Sequence, residues 1–211
     1  MGDIKVGRIT LGMYMTNCYF VYKEGSSDVV VFDPADSGDY LVDKLSENGF
    51  NVGAIMLTHG HADHIMGVKA VKEKTGAPVY AYKAEEILLN SPNLNLSLQI
   101  FGRGVTLTPD VFLEDGEEIE LCGIKIKTLF TPGHTEGSCC FYIEEAGFLI
   151  AGDTLFEESV GRTDYPTGSF KKLVESIKEK LLVLPDDTKV YPGHGNTTTI
   201  GNEREYNPFL V

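Results

Sequence analysis

The 211-residue sequence predicts an α/β (α+β layered) domain, and three observations carry that prediction. Short runs rich in β-branched and aromatic residues recur along the chain, helical stripes are interspersed among them, and no linker composition divides the chain. The number of strands favours two sheets over one doubly wound sheet. A chain of this length buries about 70% of its unfolded surface, so one core without disulfide staples suffices. The expectation is a single domain over residues 1–211.

The elements follow in order. Residues 4–10, 15–23 (MTNCYFVYK) and 28–33 (DVVVFD) read as strands parted by Gly and Ser. In 38–48, Tyr40, Leu41 and Leu45 recur at helical spacing and Gly49 supplies a stop. A buried strand is predicted over 53–58 (GAIMLT) and a helix over 64–75, from Ile65, Val68 and Val71, closed by Gly76. Residues 78–82 (PVYAY) read as a strand and 83–90 as a short helix. Residues 91–116, punctuated by Pro92, Gly102, Gly104 and Pro109, read as a long surface loop of the kind that carries function. From residue 117 the strand pattern returns in EEIEL, IKIKTLF, SCCFYI and FLIAG. Ser169 can cap a helix over 169–182 whose apolar stripe is Phe170, Leu173, Val174, Ile177 and Leu181. A strand at 188–191 and a short helix near 202–207 complete the chain.

Composition excludes several function classes. Eighteen basic against 31 acidic residues leave a net charge of −13, which repels phosphate backbones and anionic lipid. Nucleic acid and membranes are therefore not expected partners. No apolar run approaches the roughly 18–20 residues of a membrane helix. The N-terminus lacks a basic segment followed by an apolar core, so cytoplasm is the expected location. Cys18, Cys122, Cys139 and Cys140 form no C-x-x-C pair and read as reduced thiols, buried in all but Cys122. No heptad pattern points to a particular oligomer.

The chemistry gathers at strand ends. In IMLTHGHADH (55–64), an apolar strand ends at Thr58, and His59, His61, Asp63 and His64 follow within six residues. Gly60 and Ala62 are small enough to let the alternate side chains converge from a tight turn. Imidazole and carboxylate are ligands that zinc and iron accept. His134 in TLFTPGHTEGS and His194 in KVYPGHGN also follow apolar strands, each after Pro-Gly, and Asp153 in FLIAGDTLF has the same context. All five histidines of the chain thus occupy one kind of place. Seven potential ligands exceed one four-coordinate ion and suit two, the usual arrangement for activating a water against a carbonyl. Ser138 lacks a G-x-S-x-G elbow, so a serine nucleophile has no support.

These motifs resemble the metallo-β-lactamase superfamily, and the likeness extends to VFDPAD (31–36), FTPGHTEGS (130–138), AGDTLF (151–156), GRTD (161–164) and YPGHGNTTTIGNE (191–203). Within it the sequence is most similar to small glyoxalase II-like (hydroxyacylglutathione hydrolase-like) proteins. The resemblance implies an αββα sandwich of two mixed sheets flanked by helices, with the site at one edge. It implies two divalent metal ions, zinc first, with iron or manganese as alternatives. One is held by His59, His61 and His134, the other by Asp63, His64 and His194, with Asp153 bridging. Asp63 is also expected to steer the nucleophilic water, and Asp33 to orient a ligand or cap its turn. Aspartate at 153, where true zinc β-lactamases have cysteine, argues against antibiotic hydrolysis.

The substrate implied is a thioester such as S-lactoylglutathione. Full-length glyoxalase II enzymes carry a C-terminal helical region for glutathione, which is not expected here. Arg162 is the candidate cation near the substrate, or else a buried arginine paired with Asp164. GRTD also resembles persulfide dioxygenases, implying the alternative of a single iron held by His59, His134 and Asp153. A third reading is a metal-binding protein with little catalytic activity.

Overall fold

The computed structural model describes residues 2–210. Strands β1 (Ile4–Leu11), β2 (Thr16–Lys23) and β3 (Asp28–Phe32) form an antiparallel meander. Helix α1 (Gly38–Glu47) leads into β4 (Asn51–Leu57), which lies parallel to β3. Then come α2 (Ala62–Ile65), α3 (Val68–Thr75), β5 (Val79–Tyr82), α4 (Glu86–Leu89), α5 (Ser97–Phe101) and β6 (Val111–Leu113). The six strands make one mixed sheet in the order β1-β2-β3-β4-β5-β6.

The second sheet starts with β7 (Glu118–Leu121), β8 (Ile124–Phe130), β9 (Cys139–Ile143) and β10 (Phe148–Gly152). A small hairpin, β11 (Leu155–Phe156) with β12 (Ser159–Val160), precedes α6 (Phe170–Ser176), whose last turns widen to a π-helix over Ile177–Leu181. Strands β13 (Lys189–Pro192) and β14 (Thr198–Thr199) and helix α7 (Ile200–Tyr206) end the chain. The order is β14-β13-β10-β9-β8-β7, with β10 and β13 parallel.

Alternation along the strands sorts side chains into three apolar layers. Val30 and Phe32 of β3, and Ala54 and Met56 of β4, face Phe141, Ile143, Phe148 and Ile150 between the sheets. Their neighbours Val29, Val31, Ile55 and Leu57 point the other way, against Leu41 and Leu45 of α1 and Val68 and Val71 of α3. Cys140, Leu149 and Val190 do the same beneath Leu173, Ile177 and Leu181. Three apolar layers separate four layers of structure, helix–sheet–sheet–helix: the fold is the αββα sandwich of two mixed sheets. Because β4, β9 and β10 are covered on both faces, they read as continuous apolar runs rather than alternating ones.

Two expectations are corrected. The helix expected over 64–75 is broken, because the Gly67 N–H donates to Pro34 O at 2.9 Å and ends α2 before α3 begins. The loop expected over 91–116 contains α5 and β6. It is organised by buried Asn95 and Ser97: Asn95 Oδ1 accepts the Ser97 N–H, while Asn95 Nδ2 donates to Val105 O and Ser97 Oγ accepts the Val105 N–H. Elements of five and three residues are too short to register as a period. Cys18, Cys139 and Cys140 are buried free thiols. No helix among the described residues is long and apolar enough to cross a membrane.

Phe32 and Phe141 meet across the sheets with ring centroids 5.6 Å apart, both fully buried. Truncating Phe141→Ala is expected to lower unfolding free energy by about 3–5 kcal/mol in denaturant titration. Phe209→Ala, at a residue 45% exposed, is expected to cost far less; equal losses would refute this layer assignment.

Candidate metal centre

Strand direction brings the chemistry together. β3 and β4 are parallel, β10 and β13 are parallel, and β8 shares the direction of β10 because both lie antiparallel to β9. The C-terminal ends of all five open on one edge of the sandwich. Asp33 follows β3, His59 follows β4, and His61, Asp63 and His64 lie at the start of α2. His134 follows β8 after a short turn, Asp153 follows β10 directly, and His194 follows β13. All seven predicted ligand residues meet there. Gly193 must be glycine for the same reason: a Cβ on it would strike Asp153 Oδ1, and would lie 2.6 Å from His64 Cε1.

Hydrogen bonds behind the rings fix how each is presented. His134 donates from Nδ1 to Arg162 O at 2.7 Å, and His194 from Nδ1 to Tyr14 O at 3.1 Å. His64 donates from Nδ1 to Asp33 Oδ2 at 3.0 Å. Thr58 Oγ1 donates to Asp33 Oδ2 at 2.6 Å, so it accepts from His59 Nδ1 at 3.1 Å. Each of these four rings therefore turns Nε2 inward, the atom a metal-binding histidine offers once it carries no proton. His61 instead turns Nδ1 inward, 2.8 Å from His134 Nε2. Asp33 orients two rings rather than serving the site itself. Its Oδ1 accepts the Thr58 N–H and its Oδ2 accepts the Thr58 hydroxyl and His64.

Two sets of inward atoms result. One ligand atom from each of His59, His61 and His134 lies within 4.8 Å of the others, and the same holds for Asp63, His64 and His194. Asp153 stands between the sets: Oδ1 is 3.4 Å from His64 Nε2, and Oδ2 is 3.6 Å from both His134 Nε2 and His194 Nε2. Buried His59 Nε2, His64 Nε2 and Asp153 Oδ1 have no hydrogen-bond partner. Such atoms are costly unless satisfied, and a divalent cation satisfies imidazole and carboxylate donors together. The donor set fits a metal.

Burial holds His59, His61 and His134 below the usual imidazole range, His61 at about 3, so all three are neutral at pH 7. Burial also pulls His64 and His194 down, but the carboxylates of Asp153 and Asp63 outweigh it and raise both. Burial pushes Asp63 and Asp153 up, and the neighbouring histidines, His64 foremost, bring both below the ordinary range.

Arg162 is not buried. It forms a two-pronged pair with Asp164 at 2.8 and 2.7 Å, lies 4.1 Å over the Tyr165 ring and is largely exposed. Tyr165 in turn stands edge-on to His61, with centroids 5.5 Å apart. Glu85, Thr58, Asn95 and Tyr165 escaped sequence reading. Asn95 O accepts the Ala62 N–H at 2.8 Å and so anchors the histidine turn to the 91–116 segment. Glu85 is buried behind that turn, where desolvation raises it to about 7 against the donors that face it. In KAEEILL it looks like one more solvated helix residue, and no sequence signal marks it.

A profile described as the metallo-beta-lactamase superfamily matches residues 11–194. The chain belongs to that superfamily. Two relatives are informative: the probable metallo-hydrolase YqgX of Bacillus subtilis, 38% identical over 98% of both chains, and the hydroxyacylglutathione hydrolase GloC of Haemophilus influenzae, 33% identical over 96% of both. Among solved structures, BLEG-1 B3 metallo-beta-lactamase superposes with a TM-score of 0.93 at 37% identity, over 98% of this chain and all of that one. TTHA1623 in a di-iron-bound form gives 0.85 at 36%, over 97% and 100%. ETHE1 from Myxococcus xanthus gives 0.80 at 27%, over 97% and 83%. Superfamily members bind divalent metals, and this chain presents His/Asp clusters able to hold them.

In a metallo-beta-lactamase fold protein with this centre, protons and metal compete for the same lone pairs. His64 and His194 are raised and hold protons in the metal-free protein as pH falls. Zinc affinity, read by competition with a chelator, is expected to rise from about pH 6 to pH 8 with net proton release on binding. An affinity that is flat across this window would refute the assignment.

Proposed function

We propose that the protein is a dinuclear metal-dependent hydrolase acting on a small acyl-thioester, with S-lactoylglutathione as the first candidate. The observation that carries this reading is the pair of ligand sets that share Asp153. His59, His61 and His134 would hold one ion, Asp63, His64 and His194 the other, and Asp153 would bridge them. When bound, divalent cations at this site would lower the pKa of a water ligand to about 7 and polarise the carbonyl under attack.

The chain's residues do the positioning. Asp63 Oδ2 accepts from Thr16 Oγ1 at 3.3 Å and lies 3.3 Å from His194 Nε2; in this reading it would also accept a hydrogen bond from the attacking water and orient it. The buried ring of His59, the nearly buried rings of His61 and His134, and Asp153 exclude bulk water from the floor of the site. A thiolate leaving group, with an ordinary pKa of about 8.5, departs without a dedicated general acid. No side chain here needs to act as a covalent nucleophile.

The thioester reading is supported by the 33% identity to a hydroxyacylglutathione hydrolase. Zinc is the first expectation for the ions. The di-iron form of a 36% identical protein makes iron the natural comparison, with manganese third. A second reading, a mononuclear-iron persulfide dioxygenase using His59, His134 and Asp153, has the ETHE1 likeness in its favour. The complete second set, Asp63, His64 and His194, favours the hydrolase.

Metal removal is expected to abolish hydrolysis of S-lactoylglutathione, and zinc or iron to restore it. Asp63→Ala is expected to lower the rate by about 10²–10⁴. One iron per chain with oxygen uptake on glutathione persulfide, and no thioester turnover, would overturn the proposal. A β-lactam belongs in the same panel because of the BLEG-1 likeness; turnover of the β-lactam alone would also overturn the thioester assignment.

A further inference from the structure

Glu85 lies outside the seven ligands yet touches both loops that supply the three-histidine set. It is 1% exposed, at the end of the short turn joining β5 to α4. Its Oε1 accepts the Gly60 N–H at 2.7 Å, and Gly60 is the residue between His59 and His61. Thr135, next to His134, sets its hydroxyl 2.9 and 3.0 Å from the two carboxylate oxygens. When Glu85 is ionised it only accepts, so Thr135 Oγ1 then donates to it and takes the Ser138 hydroxyl proton at 2.6 Å, while Ser138 Oγ accepts the Thr135 N–H at 3.0 Å. The Gly137 N–H also faces the carboxylate, and any Cβ at 137 would collide with Glu85 Oε2 and with its backbone nitrogen. The charged neighbour of Glu85 is Glu136, of like sign. This carboxylate is thus buried for its three donors, which belong to residues 60, 135 and 137.

We propose that Glu85 is the positioning residue of the three-histidine metal subsite: one carboxylate clasps the His59–His61 turn of the first sheet to the His134 turn of the second and sets the spacing of the three rings. The proposal rests on the metal-binding reading above. A merely structural carboxylate would affect both subsites alike through overall stability. Glu203 is the internal comparison. It too is fully buried, accepting from Thr198, Asn202, Asn207 and the Glu158 N–H, but it fastens α7 and the β11–β12 hairpin and touches neither turn. Asp63, His64 and His194 make no contact with Glu85 in the bonds above, so their subsite should not feel its loss.

The test is zinc binding to metal-stripped protein, measured by chelator competition and metal counting for wild type, Glu85→Gln, Glu203→Gln, Thr135→Val and Thr135→Ser, with His134→Ala marking which ion occupies the three-histidine set. Glu85→Gln is expected to weaken that ion by about 10–100-fold, the usual effect of losing a partner behind a metal ligand, and to leave the other within about threefold. Thr135→Val should weaken the same ion, Thr135→Ser should restore it, and Glu203→Gln should lower thermal stability without changing the ratio of the two affinities. Equal weakening of both ions by Glu85→Gln, or none, overturns the proposal. If Glu85→Gln does not fold, the contrast between Thr135→Val and Thr135→Ser decides. Wild type that binds one ion refutes the dinuclear reading separately, and Glu85 is then judged on whether Glu85→Gln, and not Glu203→Gln, weakens that ion.

Discussion

Five imidazole rings and two carboxylates come together at one sandwich edge, most of them out of water. Desolvation disfavours their charged forms, and unpartnered buried nitrogens are costly. For four of the five rings the fold meets this constraint by backing them with oxygen acceptors from different elements. Asp33 from the end of β3, Thr58 from the end of β4, the carbonyl of Arg162 and the carbonyl of Tyr14 each fix one ring nitrogen or the group that fixes it. His61 Nδ1 and His134 Nε2 approach to 2.8 Å although they belong to opposite sheets. The centre therefore exists only when both sheets are docked, and docking is supplied by the apolar layer between them.

That layer and the strand directions are two sides of one requirement. Parallel β3–β4 and parallel β10–β13 each need a crossover, and the crossovers cover the outer faces of the sandwich with helices. The same crossovers return the chain so that strand ends, and not strand starts, accumulate at one edge. Buried polar pins then hold the connecting loops: Asn95 against the histidine turn, Glu85 between two turns, and Glu203 beneath the C-terminal helix. These are buried polar hydrogen bonds with little water to compete for them.

The mouth of the site has a different character. The guanidinium of Arg162 is already matched by Asp164 and stacked on Tyr165. The β1–β2 turn exposes Met13, Tyr14 and Met15, and its Tyr14 carbonyl is the acceptor that holds His194. Apolar side chains and one neutralised cation border a centre in a chain of net charge −13.

The sequence by itself determined the α/β class, the two sheets, the membership of most strands and the seven residues at the centre. It could do so because those features rest on local chemistry: apolar runs mark buried strands, and histidines placed directly after them have few other uses. The sequence leaves Asp33 open between orienting a ligand and capping its turn, and only its bond to His64 Nδ1 distinguishes the two. Tertiary structure alone decided what depends on distant segments meeting. The break at Gly67 comes from the Pro34 carbonyl, the order in 91–116 from hydrogen bonds of Asn95 and Ser97, and the exposure of Arg162 from its place on a loop over Tyr165. Glu85 is the clearest case. Nothing in KAEEILL distinguishes it from a solvated glutamate, and its role arises only because residues 60, 135 and 137 converge on it from two sheets.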